Sequence, residues 1–291
     1  MSTYKQDKKA TEQDDIERLP SGVPKAPKGS EKRVRVAHLL EMKRTGRPIA
    51  MVTAYDSTFA EIADEAGMDI ILVGDSAGMV MHGFETTLPV TMEMMLLHTA
   101  SVARVTKRAM VVADMPFLSY QVSVEEAVRN AGRFMQEAGA HAVKLEVGSP
   151  AGLDAVQAIV ATGIPVMGHV GLLPQSVHQL SGYKKQGTTP ADAKHILELA
   201  KAQEKMGIFS LVVENVPPEL GDSIARKLKV PCIGIGAGRK MDGQVLVMHD
   251  ILGLTSYSPP FARKYLDLRA GALRAFRKYA RDVRERQFPE G

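Results

Sequence analysis

Apolar runs of strand length recur along the chain, separated by longer stretches in which apolar positions return with helical spacing. The runs predict strands over 49–54, 70–74, 110–114, 142–146, 165–169, 210–214, 231–235 and 245–249. Helices are predicted over 91–107, 124–138, 153–161, 190–206, 218–228 and 261–286. In 124–138 the residues Val124, Ala127, Val128, Ala131, Phe134, Met135 and Ala138 follow three-and-four spacing, and Ser123 with Glu126 forms a capping box ahead of them. Thr189 followed by Pro190 suits an N-cap and a first-turn proline.

The eight runs are near-continuously apolar, the pattern of parallel strands covered by helices on their outer faces. An open doubly wound sheet would satisfy it, but eight regular units between 48 and 285 favour a closed α/β (β/α)8 TIM barrel. No compositional break divides that stretch, so the 291 residues resolve into one barrel domain, 35–291, with a basic C-terminal helix, preceded by an arm, 1–34. The arm is polar and mixes both charge signs, and with Pro20, Pro24, Pro27, Gly22 and Gly29 it is expected to be flexible and disordered. Asp14, Asp15 and Glu17 do not suit an organelle transit peptide, and no apolar secretory core is present.

Composition narrows the class. Hydrophobic residues make up 45% and charged residues 24%, as in globular proteins, and no apolar run reaches the eighteen or so residues of a membrane span. A single cysteine, Cys232, excludes a disulfide framework and a cysteine zinc site, and it suits a reducing, cytoplasmic setting. The net charge of +4 invites a nucleic-acid reading, but residues 35–260 hold 20 basic and 23 acidic side chains, and the excess lies at the two ends. The basic run from Arg263 to Arg286 is read as a solvated helix face, and with no Trp there is little to stack bases on, so neither nucleic acid nor membrane is expected as a partner.

In a barrel of this kind chemistry gathers at the C-terminal ends of the strands, and here those ends are polar. The second strand runs into Asp75 and Ser76, the third into Asp114, the fourth into Glu146, the fifth into His169 and the sixth into Glu214. Singly, each acid could be a helix cap or turn former; together, four carboxylates converging on one mouth need a cation to offset their repulsion. Oxygen ligands without cysteine suit a hard ion, most simply Mg2+. Period two puts Lys144 and Glu146 on one face, where the lysine either holds a substrate carboxylate or pairs internally with Glu146 or Asp114. Glu214, kept apart from the other acids, suits a general base. His169 is either a substrate contact or a satisfied core histidine. The run Gly234, Gly236, Gly238 does not spell a phosphate loop and is read as close backbone packing, and Cys232 as a small core residue.

The runs MVTAYD (51–56), LVGDSAGMV (72–80), TTLPVTMEMM (86–95), ADMPF (113–117), AHAVKLE (140–146), GIPVMGHVGLLPQS (163–176), GYKKQG (182–187), GIGAG (234–238) and DGQVLVMHD (242–250) resemble, in this order, the ketopantoate hydroxymethyltransferase family. The resemblance spans about 36–288. It implies a TIM-barrel enzyme of pantothenate biosynthesis that forms homo-oligomers, commonly decamers. The implied reaction moves a hydroxymethyl group from 5,10-methylenetetrahydrofolate to 3-methyl-2-oxobutanoate, giving 2-dehydropantoate through a metal-stabilised enolate. By the same resemblance Asp75, Asp114 and Glu146 match the Mg2+ site; Ser76 and Lys144, with Asp75, Asp114 and His169, match the substrate site; and Glu214 matches the general base. The chain departs from the family pattern at Val147, Ser181 and Thr188 and in its short C-terminal tail. The nearest rival is a Mg2+-dependent 2-oxo acid lyase or aldolase of the phosphoenolpyruvate mutase and isocitrate lyase type, whose usual cysteine motif is absent.

Overall fold

Successive side chains of a strand point to opposite faces, and here both faces are apolar because each strand has a barrel interior to fill and helices to meet. The computed structural model describes residues 32–256 and 258–290. Its eight parallel strands close in chain order: β1 (Ile49–Thr53), β2 (Ile70–Val73), β3 (Met110–Asp114), β4 (Ala142–Lys144), β5 (Val166–Gly171), β6 (Ser210–Glu214), β7 (Cys232–Ile235) and β8 (Gly243–Leu246). Closure is made by β8 on β1, with Ile49 opposite Gly243 and Met51 opposite Val245. The helices are α1 (Val36–Thr45), α2 (Ser57–Glu65), α3 (Ala77–Val80), α4 (Met92–Val105), α5 (Val124–Gln136), α6 (Pro150–Ala161), α7 (Pro190–Lys205), α8 (Pro218–Lys227), α9 (Met248–Leu252) and α10 (Leu268–Arg284). None of those among the described residues is long and apolar enough to cross a membrane.

Alternation sorts the core into two layers. Ile70 and Leu72, Met110 and Val112, Ala142, Met167, Val212, Ile233 and Val245 fill the barrel, while Ile71, Val73, Val111, Ala113, Val143, Leu211 and Val213 face the helices. Burying each of these larger side chains stabilises the fold by about 1.5–3 kcal/mol. Leu39 and Met42 of α1 join the interior cluster and stop its N-terminal end. Lys43 holds α1 there through Asp242 Oδ2 at 2.6 Å and the Ala225 carbonyl at 2.8 Å.

Several boundaries differ from the sequence expectation. The arm lies outside the described residues as far as residue 31, but Arg33 and Val34 already belong to the body: the Arg33 guanidinium reaches His141 and the Thr106 carbonyl, and Val34 is buried. The eighth strand is shifted, spanning Gly243–Leu246, because Thr53 Oγ1 accepts the Met248 N–H at 2.9 Å and the chain turns there into α9. The last helix starts at Leu268, where the Asp267 carboxylate accepts the Ala270 N–H at 3.3 Å. Helices α1 and α2 escape a periodicity reading because their buried stripes are thin, Leu39 and Met42 in one and Ala60 alone in the other. No helix joins β7 to β8; residues 236–242 return along the outside of the barrel, and Asp242 accepts the Cys232 N–H at 2.8 Å.

Two residues tie opposite ends of the barrel. Asp64, on the N-terminal side, accepts the main-chain N–H groups of Lys107, Arg108 and Ala109 at 2.8, 3.0 and 2.6 Å, fixing α2 to the start of β3. Gly171, at the C-terminal side, has φ +97°, and a Cβ there would run into the Glu214 carbonyl. Its bare backbone lets Leu172 N–H donate to that carbonyl at 2.8 Å, which anchors the end of β6. Asp64→Ala is expected to lower unfolding stability by about 1–3 kcal/mol, read as a lower denaturation midpoint, without changing the turnover of the folded fraction. Gly171→Ala is expected to lower both; an unchanged midpoint in the first variant, or full activity in the second, would contradict the assignment.

Candidate active site

The inward positions that carry Met110 and Val112, Ala142, Met167 and Val212 lower in the barrel carry, one step higher, Asp114, Lys144, His169 and Glu214. A polar layer therefore caps the apolar ones at the C-terminal mouth. Asp75 and Ser76 enter from the turn after β2, and Glu146 stands two residues beyond β4, which ends at Lys144. Asp75, Asp114, Lys144, Glu146 and His169 are all buried, whereas Glu214 keeps 16% of its side chain open to the mouth.

Lys144 is the hub. Its Nζ lies 2.6 Å from Asp114 Oδ1 as an ion pair and 3.4 Å from His169 Nδ1. Of the two partners left open by the sequence, Asp114 is the one it meets. Burial opposes the lysine's charge, but Asp114, Glu146 and Asp75 outweigh it and hold the ammonium protonated. The acids are pushed the other way: burial raises Asp75, Asp114 and Glu146, and their mutual repulsion adds to it at Asp114 and Glu146. The Asp75 N–H donates to Asp114 Oδ2 at 3.3 Å, which ties the turn after β2 to the end of β3.

His169 is held neutral, its pKa driven down by burial and then by the Lys144 charge. With Lys144 facing Nδ1, the ring proton belongs on Nε2, and this nitrogen, buried and without a hydrogen bond, lies 3.4 Å from Glu214 Oε2. The glutamate is pushed up to about 7 by burial, against the pull of Lys144. Ser76 Oγ lies 2.9 Å from the hydroxyl of buried Tyr55. The structure thus brings together Asp75, Ser76, Asp114, Lys144, Glu146, His169 and Glu214, the whole set read from the strand ends.

Three buried carboxylates face one ammonium, a donor set short of positive charge by the equivalent of a divalent cation, and hard oxygen ligands fit Mg2+. Among the described residues no three His, Cys, Asp or Glu side chains form a preassembled cage. The expected trio of Asp75, Asp114 and Glu146 is therefore not arranged as three ready direct ligands. Asp75 Oδ2 and Glu146 Oε2 are both taken by Gln175, and Asp114 by Lys144. Mg2+ commonly takes one or two protein carboxylates and completes its shell with water or substrate oxygens, and that arrangement fits here.

Residues outside the strand-end reading also line the site. Gln175 and Tyr120 are buried beside the acids, and half-exposed Tyr183 faces them closely enough that Asp75, Glu146 and Glu214, after burial itself, raise its phenol. None carries charge, and none follows a strand directly; only their place inside or near the runs GIPVMGHVGLLPQS, ADMPF and GYKKQG could have drawn attention to them. Cys232 lies at the start of β7, buried, its thiol pushed up to about 12 by burial. The Gly236 backbone is covered by the Phe261 ring and Gly238 by Pro218, the packing role expected of that run. Val147 is fully buried against Gly152 at the start of α6.

Comparison with known proteins gives the family and the fold. The chain is 53% identical over 259 residues to a 3-methyl-2-oxobutanoate hydroxymethyltransferase of Staphylothermus marinus, covering 89% of this chain and 94% of that one. It is 54% identical over 251 residues to the enzyme of the same name from Synechocystis, covering 86% and 96%. Among solved structures, a phosphonopyruvate hydrolase shares the fold with a TM-score of 0.60 at 14% identity, over 88% of this chain and 89% of that one. Residues 33–291 match the ketopantoate hydroxymethyltransferase family, and the chain belongs to it.

Proposed function

We propose that this chain catalyses the Mg2+-dependent transfer of a hydroxymethyl group from 5,10-methylenetetrahydrofolate to 3-methyl-2-oxobutanoate, with water, giving 2-dehydropantoate and tetrahydrofolate in pantothenate biosynthesis. The observation that carries this reading is the division of the mouth: Asp75, Asp114 and Glu146 gather on one side of Lys144, and Glu214 stands on the other beyond His169. Its relatives of about half-identical sequence bear the name of that activity.

Asp75 and Asp114, with Glu146 alongside, would hold Mg2+, which when bound would supply Lewis-acid polarisation of the substrate keto group. Lys144, kept charged by the acids, balances the anionic 2-oxo acid and the negative charge that grows on its oxygen as C3 is deprotonated. Ser76, its hydroxyl set by Tyr55, offers a further hydrogen bond to the 2-oxo acid. Glu214 takes the C3 proton, with the neutral His169 ring beside it, Nε2 lying 3.4 Å from Oε2. The new carbon–carbon bond then forms between C3 and the one-carbon unit, whose two bonds to folate nitrogens break to leave tetrahydrofolate and whose hydroxyl oxygen comes from water. A lyase built on cysteine acid chemistry is not favoured, because the Cys232 thiol is buried at the start of β7 with its weak hydrogen bond spent on the Val230 carbonyl. The chain works as a homo-oligomer, a decamer by family resemblance: Leu273, Phe276, Tyr279 and Val283 form an exposed apolar row on α10, which buries no residue within one chain. A reducing cytoplasm suits the lone thiol.

Solvent deuterium exchange at C3 of 3-methyl-2-oxobutanoate isolates the first step. Exchange is expected with Mg2+ and not without it, and Glu214→Gln is expected to slow it by about 10²–10⁴-fold; metal-independent exchange, or none, overturns the mechanism. Exchange without product from methylenetetrahydrofolate would point to another one-carbon donor. Only ionised Glu214 accepts the proton, and burial keeps it protonated up to about pH 7, so kcat/KM for exchange is expected to rise as pH increases through about 7. A profile flat across that range assigns the base elsewhere. Light scattering is expected to give a particle several times the 31.6 kDa chain, and a monomer would contradict the assembly.

A further inference from the structure

We infer that Gln175 is a positioning residue for the cation site, a neutral clamp that fixes the Asp75 and Glu146 carboxylates relative to one another. The inference rests on the Mg2+ reading above. Gln175 sits on the short 3-10 turn Pro174–Ser176 after β5 and is buried. Its Nε2 donates to Asp75 Oδ2 at 2.9 Å and to the Met115 carbonyl at 2.9 Å. Its Oε1 accepts from the Tyr120 hydroxyl at 2.8 Å and from Gln121 Nε2 at 3.3 Å. Its main-chain N–H donates to Glu146 Oε2 at 3.0 Å.

The orientation of this amide follows from chemistry. An ionised carboxylate and a peptide carbonyl only accept, so the NH2 group must face Asp75 and Met115 and the oxygen must face Tyr120. Every hydrogen-bonding position of the side chain is then used. Tyr120 braces the same unit, its hydroxyl lying 3.1 Å from the Glu146 carbonyl and 3.2 Å from the Glu146 N–H. One side chain and its own backbone thus grip acids delivered by β2 and by the loop after β4.

Neutrality is the point of the device. A lysine or arginine here would satisfy the same oxygens but cancel the negative charge that attracts the cation. An amide holds the carboxylates in place and leaves their charge uncompensated. Partners that orient metal-binding carboxylates in this way affect metal affinity by about 10–100-fold.

The test is calorimetric titration of the full-length protein with Mg2+, with thermal unfolding and assembly state measured alongside. Gln175→Met, which keeps the length and deletes both donors, is expected to weaken Mg2+ binding by about 10–100-fold while much of kcat returns at saturating Mg2+. Tyr120→Phe, which removes only the brace, is expected to weaken it in the same direction by a smaller factor, and it carries the test if Gln175→Met does not fold. Variants that bind Mg2+ as the wild type does, even with a lowered Tm, overturn the inference and leave a merely structural role. Wild-type protein that binds no Mg2+ overturns the metal reading, and this inference with it.

Discussion

Three carboxylates buried in one barrel mouth repel one another through a medium that screens poorly, and among the described residues Lys144 is the buried ammonium placed to offset them. Removing a partner from such a cluster leaves uncompensated buried charge at a cost of about 3–5 kcal/mol. The rest of the site follows from that position. Lys144 meets Asp114 directly, drives the proton of His169 to the nitrogen facing Glu214, and stands between the acids and the base. One charge stands between the side of the mouth proposed to attract a cation and the side proposed to accept a proton.

That division separates two demands on carboxylates that would otherwise conflict. A metal-binding acid has to be ionised and fixed, whereas a base has to be free to gain a proton near neutrality. Asp75 and Glu146 are fixed by neutral hydrogen-bond donors from Gln175, which restrain them without discharging them. Glu214 has no such clamp on its side chain, but its backbone is anchored by Leu172 N–H. Burial alone brings its pKa to about 7, with Lys144 pulling the other way.

Much of this was legible in the sequence because a strand's two-residue period is local. Once Met110 and Val112 are inward, Asp114 must be; once Ala142 is, Lys144 must be; once Met167 is, His169 must be. The seven charged and polar strand-end residues therefore meet as the pattern implies, and family membership accords with the motifs that carry them. What escaped reading depends on contacts far apart in the chain. Gln175 and Asp75 are a hundred residues apart in number and come together only when the turn after β5 folds over the mouth. Thin-striped α1 and α2 escaped for a different reason, since an exposed helix that buries one or two residues leaves almost no period. The eighth strand was misplaced because apolar Val245, Val247 and Met248 read as one run, while a hydrogen bond from another strand ends it at Leu246.

The plug formed by Leu39 and Met42, the Lys43–Asp242 pair and the Asp64 carboxylate all sit at the end of the barrel away from the chemistry. Fold and reaction are thereby assigned to opposite poles. Loops at the mouth can change without touching the contacts that close the barrel at its other end. A scaffold partitioned in this way can acquire a different electrophile for the same nucleophile by altering one pole only, which makes its second substrate the easier of the two to change by evolution or by design.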